Sequence, residues 1–215
     1  MKVRLVVVTV AAFCLALSAP AFAQIIFDDG PIDGFTNAYY IDGPDPGPVS
    51  ESISDGFIAT NSGAATSLDF GMWIQTGLTP ATVTWWLGTT AFGSDIATGV
   101  SNNLINTFHN DSGFGYDVYN VHIDGLSGSL TAGNTYWLSL GNANDSGGTQ
   151  IDGWDWNNGP ATCNVAIGGQ NFGNCGTGGE AFTLYGGNVP EPGTLVMLGG
   201  GIVAVAGTLR RRLLF

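Results

Sequence analysis

The clearest secondary-structure signal in the chain is the alternation in Leu68-Asp69-Phe70-Gly71-Met72-Trp73-Ile74-Gln75. The apolar residues from Leu68 to Ile74 occupy every second position, which is the spacing that places side chains on one face of a β-strand. Between its two apolar ends, no part of the chain sustains the spacing of an amphipathic helix. The sequence therefore predicts an all-β domain.

Segments 82–87 and 136–140 repeat this alternation, and glycine, proline and asparagine punctuate the stretches between such segments. Runs rich in β-branched and aromatic residues predict strands over residues 25–27, 38–41, 53–60, 68–75, 82–87, 96–100, 104–108, 116–123, 136–140 and 181–185. About ten short strands favour two antiparallel sheets packed as a sandwich of jelly-roll type.

The charge of the chain is divided sharply between its ends and its middle. All five Lys and Arg residues lie at positions 2, 4 and 210–212, and all 17 Asp and Glu residues lie between Asp28 and Glu191. Residues 24–188 contain 16 acidic and no basic residues, which gives a net charge of −16 with neutral histidine. A domain of this charge repels phosphate backbones and anionic lipid, so we expect no nucleic-acid partner.

Residues 1–23 have the order of a secretory signal peptide. Lys2 and Arg4 precede the apolar run 5–17, and the small-residue stretch that follows ends in Ala21-Phe22-Ala23. This last stretch fits the A-x-A cleavage pattern, so we expect cleavage after Ala23 and a mature protein that begins at Gln24. The order of the three regions favours this interpretation over a buried N-terminal helix.

The other end of the chain carries a candidate membrane anchor. Residues 193–209 contain no charged residue and, as a helix, reach about 25 Å, which barely spans a bilayer. The cluster Arg210, Arg211 and Arg212 follows and is expected to stay in the cytoplasm. This orientation anchors the chain in the inner membrane and predicts that residues 24–188 form one extracytoplasmic domain.

The tail as a whole resembles a known sorting signal. Val189, Pro190, Glu191 and Pro192 stand directly before the apolar segment and its arginine cluster. This order resembles the PEP-CTERM sorting signal of Gram-negative bacteria, over residues 189–215. The same tail is also called the C-terminal domain of ice-binding proteins.

The resemblance implies that an exosortase, a membrane-embedded enzyme similar to cysteine proteases, recognises and processes the tail. The protein would then pass from the inner membrane to the cell surface or the biofilm matrix. The alternative is a plain linker before a permanent anchor. Stretches such as Phe27-Asp28-Asp29-Gly30 and Trp156-Asn157-Asn158-Gly159-Pro160 also resemble PEP-CTERM surface proteins of uncharacterised function.

Cys163 and Cys175 are the two cysteines of the mature chain. An even pair in an oxidising compartment predicts a disulfide. Zinc is the alternative, but two cysteines without a nearby histidine supply half of a structural site.

The residues offer little for catalysis, because the domain has two histidines, no Lys or Arg and no nucleophile motif. We therefore expect a protein that is not an enzyme. The runner-up is a carbohydrate-active hydrolase that uses Asp152 and Asp155 as its two carboxylates, because a glycosidase needs no more than such a pair. The stretch 151–159 that contains them otherwise predicts an exposed loop.

We expect a surface or matrix protein whose task is adhesion or glycan contact, and binding of an extracellular polysaccharide is the more specific hypothesis. Trp154 and Trp156 can stack on sugar rings, and Asp152, Asp155 and Asn157 can take sugar hydroxyls. Trp86 is a further candidate, because one ring of the pair at positions 85 and 86 must point outward. The alternative is that these tryptophans belong to the core.

No cofactor or metal is required by the sequence. Clustered carboxylates make calcium a possible ligand near Asp28 and Asp29 or between Asp152 and Asp155, but neither stretch has the spacing of a defined calcium loop.

Overall fold

A computed structural model of the chain describes residues 23–35, 37–42, 50–148, 152–157, 159–176 and 178–187. Gln24, the expected first residue of the mature protein, begins the first strand. The signal peptide up to Phe22, including Ala21 of the cleavage site, lies outside the described residues. So do the motif 189–192, the apolar segment 193–209 and the arginine cluster 210–212.

The described part of the chain contains fourteen strands. They are β1 (Gln24–Asp28), β2 (Asn37–Tyr40), β3 (Glu51–Ile58), β4 (Gly63–Gln75), β5 (Pro80–Gly88), β6 (Ala97–Ser101), β7 (Ile105–Asp111), β8 (Tyr116–Asp124), β9 (Ser129–Leu130), β10 (Thr135–Asp145), β11 (Gly153–Trp156), β12 (Thr162–Ile167), β13 (Gln170–Asn174) and β14 (Phe182–Gly187). No helix in these ranges is long and apolar enough to cross a membrane.

The strands form two antiparallel sheets, which confirms the all-β prediction. The eight-stranded sheet runs β1-β14-β4-β11-β2, with β8 and β9 also paired to β4, and β7 paired to β8. The six-stranded sheet runs β13-β12-β3-β10-β5-β6. Connectivity of the jelly-roll type stays a prediction.

Strand β4 is the centre of the eight-stranded sheet and contains the alternating stretch 68–75. It pairs with β8 along one edge, and with β14 and then β11 along the other. Leu68, Phe70, Met72 and Ile74 are fully buried. Burial of such side chains stabilises the fold by about 1.5–3 kcal/mol each. The period-two pattern therefore identified the strand on which this sheet is built.

The two sheets share one core. Phe57 of β3 packs against Phe27 and Phe182 of the opposite sheet, with ring centroids 4.9 and 5.7 Å apart. Trp154 extends the cluster, since its ring lies 5.8 Å from Phe182 and 6.4 Å from Phe70. Aromatic pairs of this kind add about 0.5–1.5 kcal/mol each beyond the burial of their area.

The prediction of an exposed loop at 151–159 is wrong for Gly153–Trp156. These residues form strand β11, which lies between β2 and β4. Alternation along β11 turns Trp154 into the core, where its exposure is 0% and its Nε1 donates to the carbonyl of Ala181 at 3.1 Å. Strands β9, β12 and β13 were also not predicted. Strands β11 and β13 are short and rich in Asn, Asp or Gly, which are depleted from strands in general.

The predicted disulfide between Cys163 and Cys175 is present, with Cα atoms 5.5 Å apart. It links β12 to the residue that follows β13, and so closes the hairpin that these strands form. Of its two cysteines, Cys163 is fully buried in the core.

Several acids are buried although the domain has no Lys or Arg to pair with them. Asp152 is fully buried, and neither of its carboxylate oxygens has a hydrogen-bond partner. Its backbone N–H donates to Asp42 Oδ1 at 2.6 Å. Burial, reinforced by the charges of Asp145 and Asp42, raises the pKa of Asp152 to about 8. Burial likewise raises the pKa of Asp42 to about 7.

These raised pKa values predict that the protein loses stability as the pH rises. The folded protein holds protons on Asp42 and Asp152 that the unfolded chain has already lost above its ordinary aspartate pKa. The stabilisation is therefore complete in acid and disappears as the pH passes through about 7–8. Replacement of Asp152 by Asn should flatten the decline by up to about 1.4 kcal/mol per pH unit.

Urea unfolding followed by tryptophan fluorescence between about pH 5 and pH 8 measures this slope. Asp95→Asn is the control, because Asp95 is exposed and hydrogen bonds from Thr89 lower its pKa, so it does not titrate in this window. A slope that Asp152→Asn leaves unchanged would show that Asp152 is ionised in the folded protein.

Candidate functional site

An aromatic cleft opens on the outer face of the eight-stranded sheet, where β2, β11, β4 and β8 lie side by side. Its volume is about 310 Å³, which is at the small end of the range for ligand sites. The cleft is lined by Asn37, Ala38, Tyr40, Trp73, Phe114, Tyr116 and Gly153.

Trp73 forms the floor of the aromatic cleft and is held in place from below. It points away from the core because its neighbours Met72 and Ile74 point inward. Its Nε1 donates to Asp155 Oδ1 at 2.5 Å. The same carboxylate accepts backbone hydrogen bonds from Gly34 at 3.1 Å and Asp33 at 3.0 Å. The floor is thus tied to the segment 31–35, which crosses the outer face of the sheet.

Asp155 holds this arrangement without a cation. It is fully buried, and burial raises its pKa to about 6 although the bonds from Trp73 and the backbone act in the opposite direction. A Cβ at Gly71 would lie 2.5 Å from the Asp155 Cβ. Glycine at position 71 is therefore needed for Asp155 to reach the indole.

Tyr40 and Tyr116 form one wall of the aromatic cleft. Burial, reinforced by the neighbouring Tyr116, raises the pKa of Tyr40. The Tyr116 ring lies 6.1 Å from that of Trp73. Because Tyr40 is still 47% exposed, its ring and hydroxyl are available to a ligand.

Phe114 projects from the turn between β7 and β8 and is 71% exposed. It stands between Gly113 and Gly115, which have φ values of +77° and +86° that favour glycine. The turn is held by the Phe114 N–H, which donates to Ser112 Oγ at 3.2 Å, and by a bond from Ser112 N–H to the carbonyl of Tyr116. An apolar ring presented on an ordered turn is an efficient contact for a ligand.

The structure does not bring Asp152 and Asp155 together as a catalytic pair. Asp152 interacts with Asp42 and Asp145, whereas Asp155 is bound to Trp73 and to backbone N–H groups of the segment 31–35. Both carboxylates are fully buried, so neither reaches a substrate on the surface.

The other residues of this stretch that were predicted to bind a glycan are buried or half-buried in the fold. Trp154 belongs to the core, so the prediction that its face stacks on a sugar is wrong. Trp156 is half-buried and pairs with Glu180 through a β-bridge. Asn157 is buried, and its side chain bonds the backbone of Asp29 at 3.0 Å and of Gly159 at 2.7 Å. Neither Asp28 nor Asp29 lines the aromatic cleft.

Trp86 lies on the outer face of the six-stranded sheet, as the alternation with buried Trp85 predicts. It is half-buried, and its ring lies over Gly141, where a Cβ would be 3.2 Å away. Trp137 lies over Gly56 on the same face, with a corresponding distance of 2.9 Å. Trp86 therefore lies on the other sheet and is not part of the aromatic cleft.

Sequence reasoning missed Tyr40, Phe114 and Tyr116 as site residues. The signal for Phe114 was present, because a large aromatic residue between two glycines belongs to a turn that cannot bury it. No local signal brings Tyr40 and Tyr116 together, since they are distant in sequence and meet through the pairing of β2, β11, β4 and β8.

Comparison with known proteins identifies the tail of the chain. No curated protein matches the chain. Residues 188–212 match the family model of the PEP-CTERM protein-sorting motif, which covers the expected residues Val189, Pro190, Glu191 and Pro192 and the arginine cluster. This motif implies export, processing by an exosortase and sorting to the cell surface. The chain is therefore a protein that carries a PEP-CTERM sorting motif.

Proposed function

We propose that this protein is a non-catalytic surface or matrix protein that binds a neutral glycan in its aromatic cleft after export. The exposed rings of Tyr40 and Phe114, set around the fixed floor of Trp73, are the observation that carries the proposal. Rings of this kind stack on the apolar faces of sugars. Tyr40, Tyr116 and Asn37 supply polar groups for the sugar hydroxyls.

The charge of the domain favours a neutral ligand. Residues 24–188 have a net charge of −16 and no basic side chain, so the domain repels uronic-acid and sulfated chains. The described lining of the aromatic cleft contains no carboxylate. The nearest catalytic candidate, Asp155, lies beneath Trp73 and is engaged by three donors. These features favour binding over hydrolysis.

The proposed delivery route uses the signals at both ends of the chain. The signal peptide 1–23 directs export, and the apolar segment 193–209 holds the protein in the inner membrane with Arg210, Arg211 and Arg212 in the cytoplasm. The segment 189–192 contains two prolines that fix φ and remove backbone donors, which favours an extended chain that a protease can reach. Processing there delivers the domain to the surface or to an extracellular polysaccharide matrix.

Replacement of Phe114 by Ala should weaken glycan binding about tenfold or more without loss of fold, because its ring is exposed and makes a contact with the ligand. Affinity electrophoresis of the exported protein measures this, in gels that contain dextran or a soluble β-glucan. A gel with alginate, an acidic polysaccharide, should retard the wild-type protein less.

Phe172→Ala is the matched control, because Phe172 is 64% exposed on β13 of the other sheet. It should bind as the wild type does. Equal retardation of the Phe114 and Phe172 variants would contradict the cleft as the site. Loss of binding in Trp86→Ala alone would move the site to the outer face of the six-stranded sheet.

Replacement of Pro190, Glu191 and Pro192 by alanines should leave export intact but keep the protein in the inner membrane, because the apolar segment and the arginines remain. Cell fractionation and the mass of the product measure this outcome. The chain offers a matched control in Pro44-Asp45-Pro46, which has the same order of proline, acid and proline. Alanines at these positions should not affect processing, and release of the first variant at the wild-type rate would contradict sorting through the motif.

A further inference from the structure

Three buried carboxylates that do not line the aromatic cleft lie near the disulfide. Asp29 follows β1, Asp55 lies in β3 of the other sheet, and Glu180 precedes β14. The exposure of Glu180 and of Asp55 is 0%, and Asp29 is almost as deeply buried. The group therefore lies between the two sheets, where Cys163 joins it.

Each of these carboxylates has at least one oxygen without a hydrogen-bond donor. Asp29 Oδ1 accepts from the N–H of Ala161 at 2.8 Å, and Asp55 Oδ2 accepts from the N–H of Glu180. Asp29 Oδ2, Asp55 Oδ1 and Glu180 Oε2 have no partner.

Of the three carboxylates, that of Glu180 receives the fewest hydrogen bonds. Its Oε1 lies 3.5 Å from the Sγ of Cys163, but a sulfur in a disulfide carries no proton to donate. Neither oxygen of this fully buried carboxylate thus receives a hydrogen bond from the described residues. An ionised carboxylate that is buried without a partner raises the free energy of the folded protein by several kcal/mol or more, so this group needs a proton or a cation.

Two of the carboxylates, those of Asp29 and Asp55, approach the backbone of Gly179. A Cβ at Gly179 would lie 2.3 Å from Asp29 Oδ2 and 3.1 Å from Asp55 Oδ2. Glycine is therefore required there for both acids to approach. Glu180, the next residue, interacts electrostatically with both Asp55 and Asp29.

No side chain of the domain can neutralise this group, because residues 24–188 contain no Lys or Arg. The available donors are oxygens, which hard divalent cations prefer, and calcium accepts irregular geometry. Outside the cell, calcium modules bind with Kd values of about 0.1–1 mM. We propose that Asp29, Asp55 and Glu180 form a calcium site that joins the two sheets.

Glu180 is the anchor of this site. Among the described residues, Cys163, Cys175 and Glu180 have potential ligand atoms within 4.8 Å of one another, but the two sulfurs are already bonded to each other. The carboxylates of Asp29, Asp55 and Glu180 do not all lie within 4.8 Å of one another, so a bound calcium ion must draw those of Asp29 and Asp55 towards Glu180. Since Asp29 and Glu180 belong to one sheet and Asp55 to the other, the ion adds a cross-link to the core beside the disulfide.

The test is thermal unfolding of the exported protein, stripped of metal and titrated with calcium chloride at constant ionic strength, with magnesium chloride in parallel. The Tm should rise with calcium until the site is saturated, and magnesium should have less effect because it demands a smaller octahedral site. Calorimetry should show one bound calcium ion per chain, with protons released on binding.

Glu180→Gln should weaken calcium binding about tenfold or more, which calorimetry measures, while its fold in the absence of metal is retained because the buried charge is gone. Glu51→Gln is the matched control, since Glu51 lies at the start of β3, away from this group, and should bind calcium as the wild type does. If Glu180→Gln does not fold, Asp29→Asn provides the same comparison.

Two results would overturn the proposal. One is the absence of a saturable calcium response of the wild type up to about 10 mM, well above the weakest extracellular affinities. The other is a Glu180→Gln or Asp29→Asn variant that binds calcium with wild-type affinity. A wild-type protein that does not bind calcium would show that protons neutralise the group.

Discussion

The constraint on which this structure depends is the lack of any cationic side chain between the two terminal signals. An ordinary domain neutralises its buried acids with Lys or Arg, but here residues 24–188 contain neither. Each buried carboxylate must instead be held by N–H donors, by a proton or by an external ion. The carboxylate of Asp155 accepts from three donors, whereas those of Asp152 and Glu180 have no donor among the described residues.

The same constraint shapes the aromatic cleft. Asp155 uses an indole N–H and two backbone N–H groups in place of a cation, and this fixes Trp73 as a rigid floor. A rigid floor lowers the entropy lost when a ligand binds. In the proposed glycan-binding role, the surrounding negative charge would select against anionic chains and the aromatic rings would supply the affinity. The PEP-CTERM tail implies export of this surface from the cell.

The strands with clear alternation could be predicted from the sequence because each has one buried face. The alternation around Leu68 identified the central strand, and the pair Cys163 and Cys175 identified the disulfide. Strand β11 could not be predicted, because its polar and glycine residues are typical of a loop and its burial comes from neighbours on both edges. That error also placed Trp154 on the surface. The partners of Asp155 could not be predicted either, since residues 33, 34 and 73 reach it through tertiary packing.

The central claim is that a buried acid without a cationic partner keeps its proton. The most direct test is ¹³C NMR of the carboxyl groups of the folded protein as a function of pH. The chemical shift of each carboxyl carbon reports whether that group is protonated. At about pH 6, where an exposed aspartate is ionised, Asp152 is expected still to carry its proton. Complete ionisation of Asp152 by about pH 5 would contradict it, because the group would then have a charge-stabilising partner in the folded protein.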